Sequence, residues 1–168
     1  MATSDWQAAG GTDRPRRISA LVERVNNAIR TIAPPSLAQL MLRVALGVPF
    51  WRSGVNKWDG FLKLNDTAVY LFESEFKLHL PGGPYHYPAP AVMAFIVGSA
   101  EILFPILLVL GLATRLTAFG LLVMTLMVEL TVPDGWPVHV TWAAMALAIM
   151  AWGPGSISLD YWIARDKA

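Results

Sequence analysis

Cysteine is absent from the 168-residue chain. That excludes disulfides, thiol redox chemistry, thioether-attached haem and cysteine-ligated iron–sulfur clusters within it. No covalently bound cofactor is expected, so any electron chemistry needs a diffusible carrier. Charge is scarce as well: Asp, Glu, Lys and Arg make up 15% of the residues, against roughly 25% in ordinary soluble domains. The 13 basic and 12 acidic residues nearly cancel, so the basic surplus that binds a nucleic-acid backbone is missing. No nucleic-acid partner is expected. Metal-ligand spacings are missing too. His79, His86 and His139 with Glu101 and Glu129 match no recognised motif, and no metal site is assigned.

In place of charge there is apolar length. Hydrophobic residues reach 55% and mean hydropathy is +0.46. Within the run 87–112, Glu101 is the sole charge between His86 and Arg115. Four segments, 37–55, 88–112, 116–132 and 138–152, approach the roughly 17–25 residues that cross a bilayer as helix. The expected fold is all-α: a four-transmembrane-helix bundle with an N-terminal amphipathic helix and a long outer loop containing a short interfacial helix. The lipid bilayer is therefore the first partner. Ile18, Leu21, Val22, Val25, Ala28, Ile29 and Ile32 recur at helical spacing, so residues 18–33 read as a surface helix in the membrane interface. Docking on another protein is the alternative. Pro34-Pro35-Ser36 separates this helix from the first span. Residues 1–17 read as a disordered cytoplasmic tail and 161–168 as a second cytoplasmic tail, flanking a four-helix membrane domain at 37–160. The Arg16-Arg17 pair lacks the compact apolar core and cleavage site of an export signal directly after it.

Orientation follows from basic residues. Arg14, Arg16, Arg17, Arg24, Arg30, Arg115, Arg165 and Lys167 lie on the side of the termini, and Lys57, Lys63 and Lys77 on the other. Eight against three places both termini in the cytoplasm. In the outer loop Val69, Phe72, Phe76 and Leu80 suggest an amphipathic helix ended by Pro81-Gly82-Gly83-Pro84 and lying flat on the far surface. Trp51, Trp58, Tyr85, Tyr87, Trp136, Trp142, Trp152, Tyr161 and Trp162 sit near span ends as an interfacial belt.

The charges inside the spans share faces with small residues. On the first, Arg43, Gly47, Phe50, Gly54 and Lys57 fall close to one line; on the second, Glu101 joins Ala94, Gly98 and Pro105. A charge at mid-membrane costs roughly 2.5–3.5 kcal/mol on insertion scales, enough to demand a partner or a proton. At about 1.5 Å per residue, Arg43 lies about 9 Å and Glu101 about 14 Å from the cytoplasmic edge, while Arg52 and Glu129 lie about 8–9 Å from the outer edge. Two charged layers are expected: Arg43 with Glu101, and Arg52 with Glu129 and His139. Pro105 also leaves the Glu101 carbonyl without its helical donor. The candidate ligand-binding residues are Arg43, Lys57, Glu101, Arg52, Glu129 and His139, with Glu101 and Arg43 the candidates for chemistry. A purely structural role for these pairs is the alternative.

The runs Leu42-Arg43-Val44-Ala45-Leu46-Gly47 and Ser53-Gly54-Val55-Asn56-Lys57 resemble the opening signature of the DoxX family of small four-span bacterial membrane proteins. Leu80-Pro81, Glu101 with Gly111-Leu112-Ala113-Thr114-Arg115, and the closing stretch Gly153 to Asp160 extend the resemblance over 37–160. It implies redox association, since relatives include the membrane subunit of a thiosulfate:quinone oxidoreductase, maturation factors of periplasmic redox enzymes and cargo receptors. The leading expectation is an accessory subunit that contacts a quinone or a redox partner through the buried Arg/Glu seam. If the chain belongs to an enzyme, that is a quinone-linked oxidoreductase complex. The alternatives are a non-enzymatic scaffold or receptor, holding a protein partner or a second copy of itself, and a proton or small-solute carrier.

Overall fold

The computed structural model describes residues 13–165, with side chains from Ile18 onward. Two units are distinct in it, 1–35 and 36–168. Among the described residues the first holds one helix, α1 (Asp13–Ile32). The tail expected at 1–17 lies outside the described residues up to position 12, and its last five positions are helical. Residues 166–168 of the second tail also lie outside.

The second unit is mostly helical. Its long helices are α2 (Pro35–Val55), α4 (Pro90–Leu110), α5 (Thr114–Thr131) and α6 (Trp136–Trp152), with short α3 (Asp66–Tyr70) and α7 (Leu159–Arg165). Prolines set several starts: Pro35 opens α2, and Pro90 and Pro137 occupy first-turn positions, where the missing N–H has no helical partner to lose. α4 and α5 are each long and apolar enough to cross a membrane, with mean hydropathy 2.3 and 1.4. Ile18–Ile32 and Pro35–Val55 pass the same measure only as a pair, and α6 has 17 residues.

Leu46, Phe50, Leu108, Ala118, Leu121, Ala146 and Ile149 form the buried core between the four long helices. α2 runs antiparallel to α4: its Gly47 lies against Pro105 and Val109, and its Gly54 against Glu101. A Cβ on Gly54 would stand 3.0 Å from the Glu101 backbone. Glycine at that point lets the two helices meet at the residue whose carbonyl Pro105 has left free.

The outer excursion differs from the expectation. Trp58–Gly60 (β1) pairs antiparallel with Lys63–Leu64 (β2), and Lys77–Leu78 (β3) with Tyr85–His86 (β4). Asn65 caps α3 by accepting from the Ala68 amide at 2.6 Å. The helix continues as a π-helical turn, Leu71–Glu75, and stops at extended Phe76, so Leu80 is not on it. Its apolar face packs against the bundle. Phe72 is 4% exposed and packs edge-on against Phe76 and Tyr87 over Ala94 of α4. The aromatic belt also divides: Trp51, Trp136, Trp152 and Trp162 are exposed, whereas Tyr87 is buried and Trp142 packs on Phe50.

Candidate functional site

The buried and half-buried charges form three separate groups. At one end, α4 closes in a Schellman turn: Gly111, at φ +71°, donates to Leu108 and Leu112 to Leu107. The Val109 carbonyl remains. Arg43, fully buried, donates to it at 3.1 Å, to Leu108 at 3.4 Å and to the Ile157 carbonyl of the closing stretch. The same stretch brings Asp160 to the start of α5, where its carboxylate accepts from the amides of Ala113 and Thr114, both at 2.8 Å. A helix N-terminus favours an anion there. Partial burial works against the Asp160 carboxylate, but the hydrogen bonds from Thr114 and Ala113 and the Arg43 charge outweigh it and hold its pKa below the ordinary aspartate value. This end is a staple joining α2, α4, α5 and the chain after α6.

The second group lies toward the other end. Lys57, in the turn after α2, reaches back along the helix and donates to Glu101 Oε2 at 2.5 Å and to Ser53 Oγ at 2.8 Å. Ser53 donates to Glu101 Oε1 at 3.1 Å, so both carboxylate oxygens have a donor. The Lys57 stem and the Trp58 ring lie over Gly98, where a side chain would crowd them. The ion pair is nearly sealed: the side chains are 12% and 5% exposed.

This triad faces a cavity of about 210 Å³. The other lining residues are apolar or weakly polar: Phe72, Phe76 and Tyr87 from the outer excursion, Met93 and Val97 from α4, and Met124, Met127, Val128, Thr131 and Val132 on the side of α5. Two connections hold the excursion over it. Tyr87 and Thr131 share a hydroxyl hydrogen bond of 2.6 Å, and the His79 amide donates to the Leu130 carbonyl at 2.7 Å. Met127 and Val132 are exposed, so the cavity is bordered on its α5 side by an exposed apolar flank. The arrangement offers one cationic donor and one carboxylate at the end of a greasy slot.

The third group is Glu129 with His139, whose Nδ1 lies 2.7 Å from Glu129 Oε2. The imidazole packs on Trp142 and fills the space where Gly135 has no side chain. Neither residue lines the cavity.

Two expected pairings are therefore corrected. Arg43 does not meet Glu101; Lys57 does. Arg52 is exposed and joins neither Glu129 nor His139 among the described residues. The first correction has a geometric cause. Helix side chains lean toward their own N-terminus, and α2 and α4 are antiparallel, so Arg43 and Glu101 lean apart. Lys57 leans toward Glu101 for the same reason. Ser53, Phe72 and Tyr87 were missed as site residues. Ser53 had a readable signal, four residues before Lys57 on one helical face. The other two did not, since their place depends on how the excursion folds back. Among the described residues no group of three or more His, Asp or Glu side chains comes together as a metal site.

Two helices long and apolar enough to cross a membrane, with a buried ion pair beside them, fit an integral membrane protein. The DoxX family model matches residues 38–134, more than half of the sequence, and the chain belongs to the DoxX family. Neither the curated proteins nor the solved structures compared with it yield a match.

Proposed function

We propose that this DoxX-family protein is a four-span subunit of the bacterial cytoplasmic membrane, with both termini cytoplasmic, that holds a quinone ring in the cavity beside Lys57 and Glu101. The observation carrying this reading is the composition of the cavity: a lysine–carboxylate pair with a serine between them, and apolar walls elsewhere. Its volume of about 210 Å³ falls below the roughly 300–1,000 Å³ of sites that enclose a whole ligand. It suits a small ring whose tail stays in lipid, and the exposed apolar flank of α5 lets that tail remain there. Lys57 Nζ would donate to a quinone carbonyl, and Glu101 would exchange the accompanying proton. Oxidation state would be set by a partner subunit, since no thiol of this chain can carry electrons.

Four spans are supported by length. α2, α4, α5 and α6 have 21, 21, 18 and 17 residues, about 26–32 Å at 1.5 Å per residue, against a hydrocarbon core of about 30 Å. The orientation is supported by the basic residues on the terminal side.

Titration of purified protein with a short-tailed ubiquinone or menaquinone tests the reading. Saturable binding is expected, weakened about ten-fold or more by Glu101→Gln and by Lys57→Met, and unaffected by Arg52→Gln. Absence of saturable binding in the wild type, or identical binding by Glu101→Gln, refutes it and leaves the ion pair as a brace for a scaffold.

A further inference from the structure

The first unit carries an exposed apolar face. Ile18, Leu21, Val22, Val25, Ile29 and Ile32 are 50–80% exposed. At 100° per residue they occupy one arc of about 100° on α1, so the six side chains form a continuous stripe. α1 contains five arginines and two acids, Asp13 and Glu23. By the same spacing Arg24 and Arg30 lie about 60° and about 80° beyond its two edges, one on each side. Only Ala33 and Pro34 separate α1 from α2, the helix that carries the buried Arg43, so a two-residue link ties the striped helix to the unit that holds the apolar spans.

We propose that α1 lies in the plane of the membrane and binds anionic phospholipid headgroups, with its stripe in the acyl boundary and its arginines on lipid phosphates. An apolar arc with an arginine to each side and a net positive charge matches an anionic leaflet on both counts: buried apolar area and electrostatic attraction. A soluble partner would need a compensating acidic rim, and a second copy of α1 would bring arginines against arginines. The tether also raises the local concentration of lipid far above that of any soluble protein.

The absence of cysteine makes the test clean, because one introduced thiol is labelled uniquely. Full-length Val25→Cys and Asn27→Cys, on the stripe and opposite to it, are labelled with a fluorophore and reconstituted one copy per nanodisc. The discs contain phosphatidylcholine alone or with one quarter phosphatidylglycerol. Expected results are quenching at position 25 by lipid-borne nitroxides with shielding from aqueous iodide, and the reverse at position 27. The docked-to-free ratio should rise with phosphatidylglycerol and fall about five-fold for each of Arg24→Gln and Arg30→Gln. Equal iodide access at both positions in both lipids overturns the proposal. So does shielding that requires two copies per disc, which assigns the stripe to self-association, or shielding indifferent to phosphatidylglycerol and to both substitutions. None of the variants touches Lys57, Ser53 or Glu101, so the outcome is independent of quinone binding.

Discussion

Replacing Arg43 by methionine keeps a long apolar stem and removes the guanidinium from the staple at the closing end. The guanidinium makes two good bonds, to the carbonyls of Val109 and Ile157, and a long one to Leu108. Charge-assisted hydrogen bonds contribute about 1.5–3 kcal/mol each, so two of them amount to about 3–6 kcal/mol. Arg43 is 0% exposed, and water does not take over the freed carbonyls. Asp160 also loses the cation that helps to hold its pKa down. Unfolding titrations in mixed micelles of Arg43→Met, Asp160→Asn, Glu101→Gln and the two doubles containing Arg43→Met measure these effects. The single substitution at Arg43 should cost about 3–6 kcal/mol. Its coupling to Asp160 should reach about 1 kcal/mol, and its coupling to Glu101 should stay within about 0.5 kcal/mol of zero, as for separated sites. A loss under about 1 kcal/mol, or stronger coupling to Glu101 than to Asp160, refutes the staple.

Three further outcomes are expected. Gly111→Ala forces a side chain into the left-handed region and against Arg43 and the Ser158 backbone, at a cost of about 2–5 kcal/mol in the same titration; Gly82→Ala, also at positive φ but crowded only by the Tyr85 hydroxyl 3.1 Å away, should cost about 1–2 kcal/mol. Because the Asp160 pKa is lowered on folding, its contribution is complete above the unfolded aspartate value of about 3.9 and is lost as pH falls through the folded value. An acid titration of stability should show that component in the wild type and not in Asp160→Asn. Phe72→Ala removes the ring wedged between Phe76 and Tyr87 at a local cost of about 3–5 kcal/mol, so limited proteolysis between residues 66 and 80 should accelerate while Arg43-dependent global stability stays unchanged.

The membrane class, the helical faces and the two most apolar spans follow from the sequence because their causes are local. Apolar length decides whether a segment suits lipid, and the spacing of Gly47 and Gly54 marks where helices can approach. The amino acids also showed that the buried charges need partners, since an unpaired charge in lipid is too costly to leave alone. Which partner each one takes was decided by tertiary structure. Depth along the membrane put Arg43 near Glu101, but antiparallel helices aim those side chains in opposite directions, and the closing stretch returns carbonyls and Asp160 to the end where Arg43 points. The cavity was hidden for a related reason. Phe72, Tyr87 and Thr131 are far apart in sequence, and nothing in their local pattern specifies that the outer excursion folds inward over Lys57 and Glu101 rather than spreading across a surface.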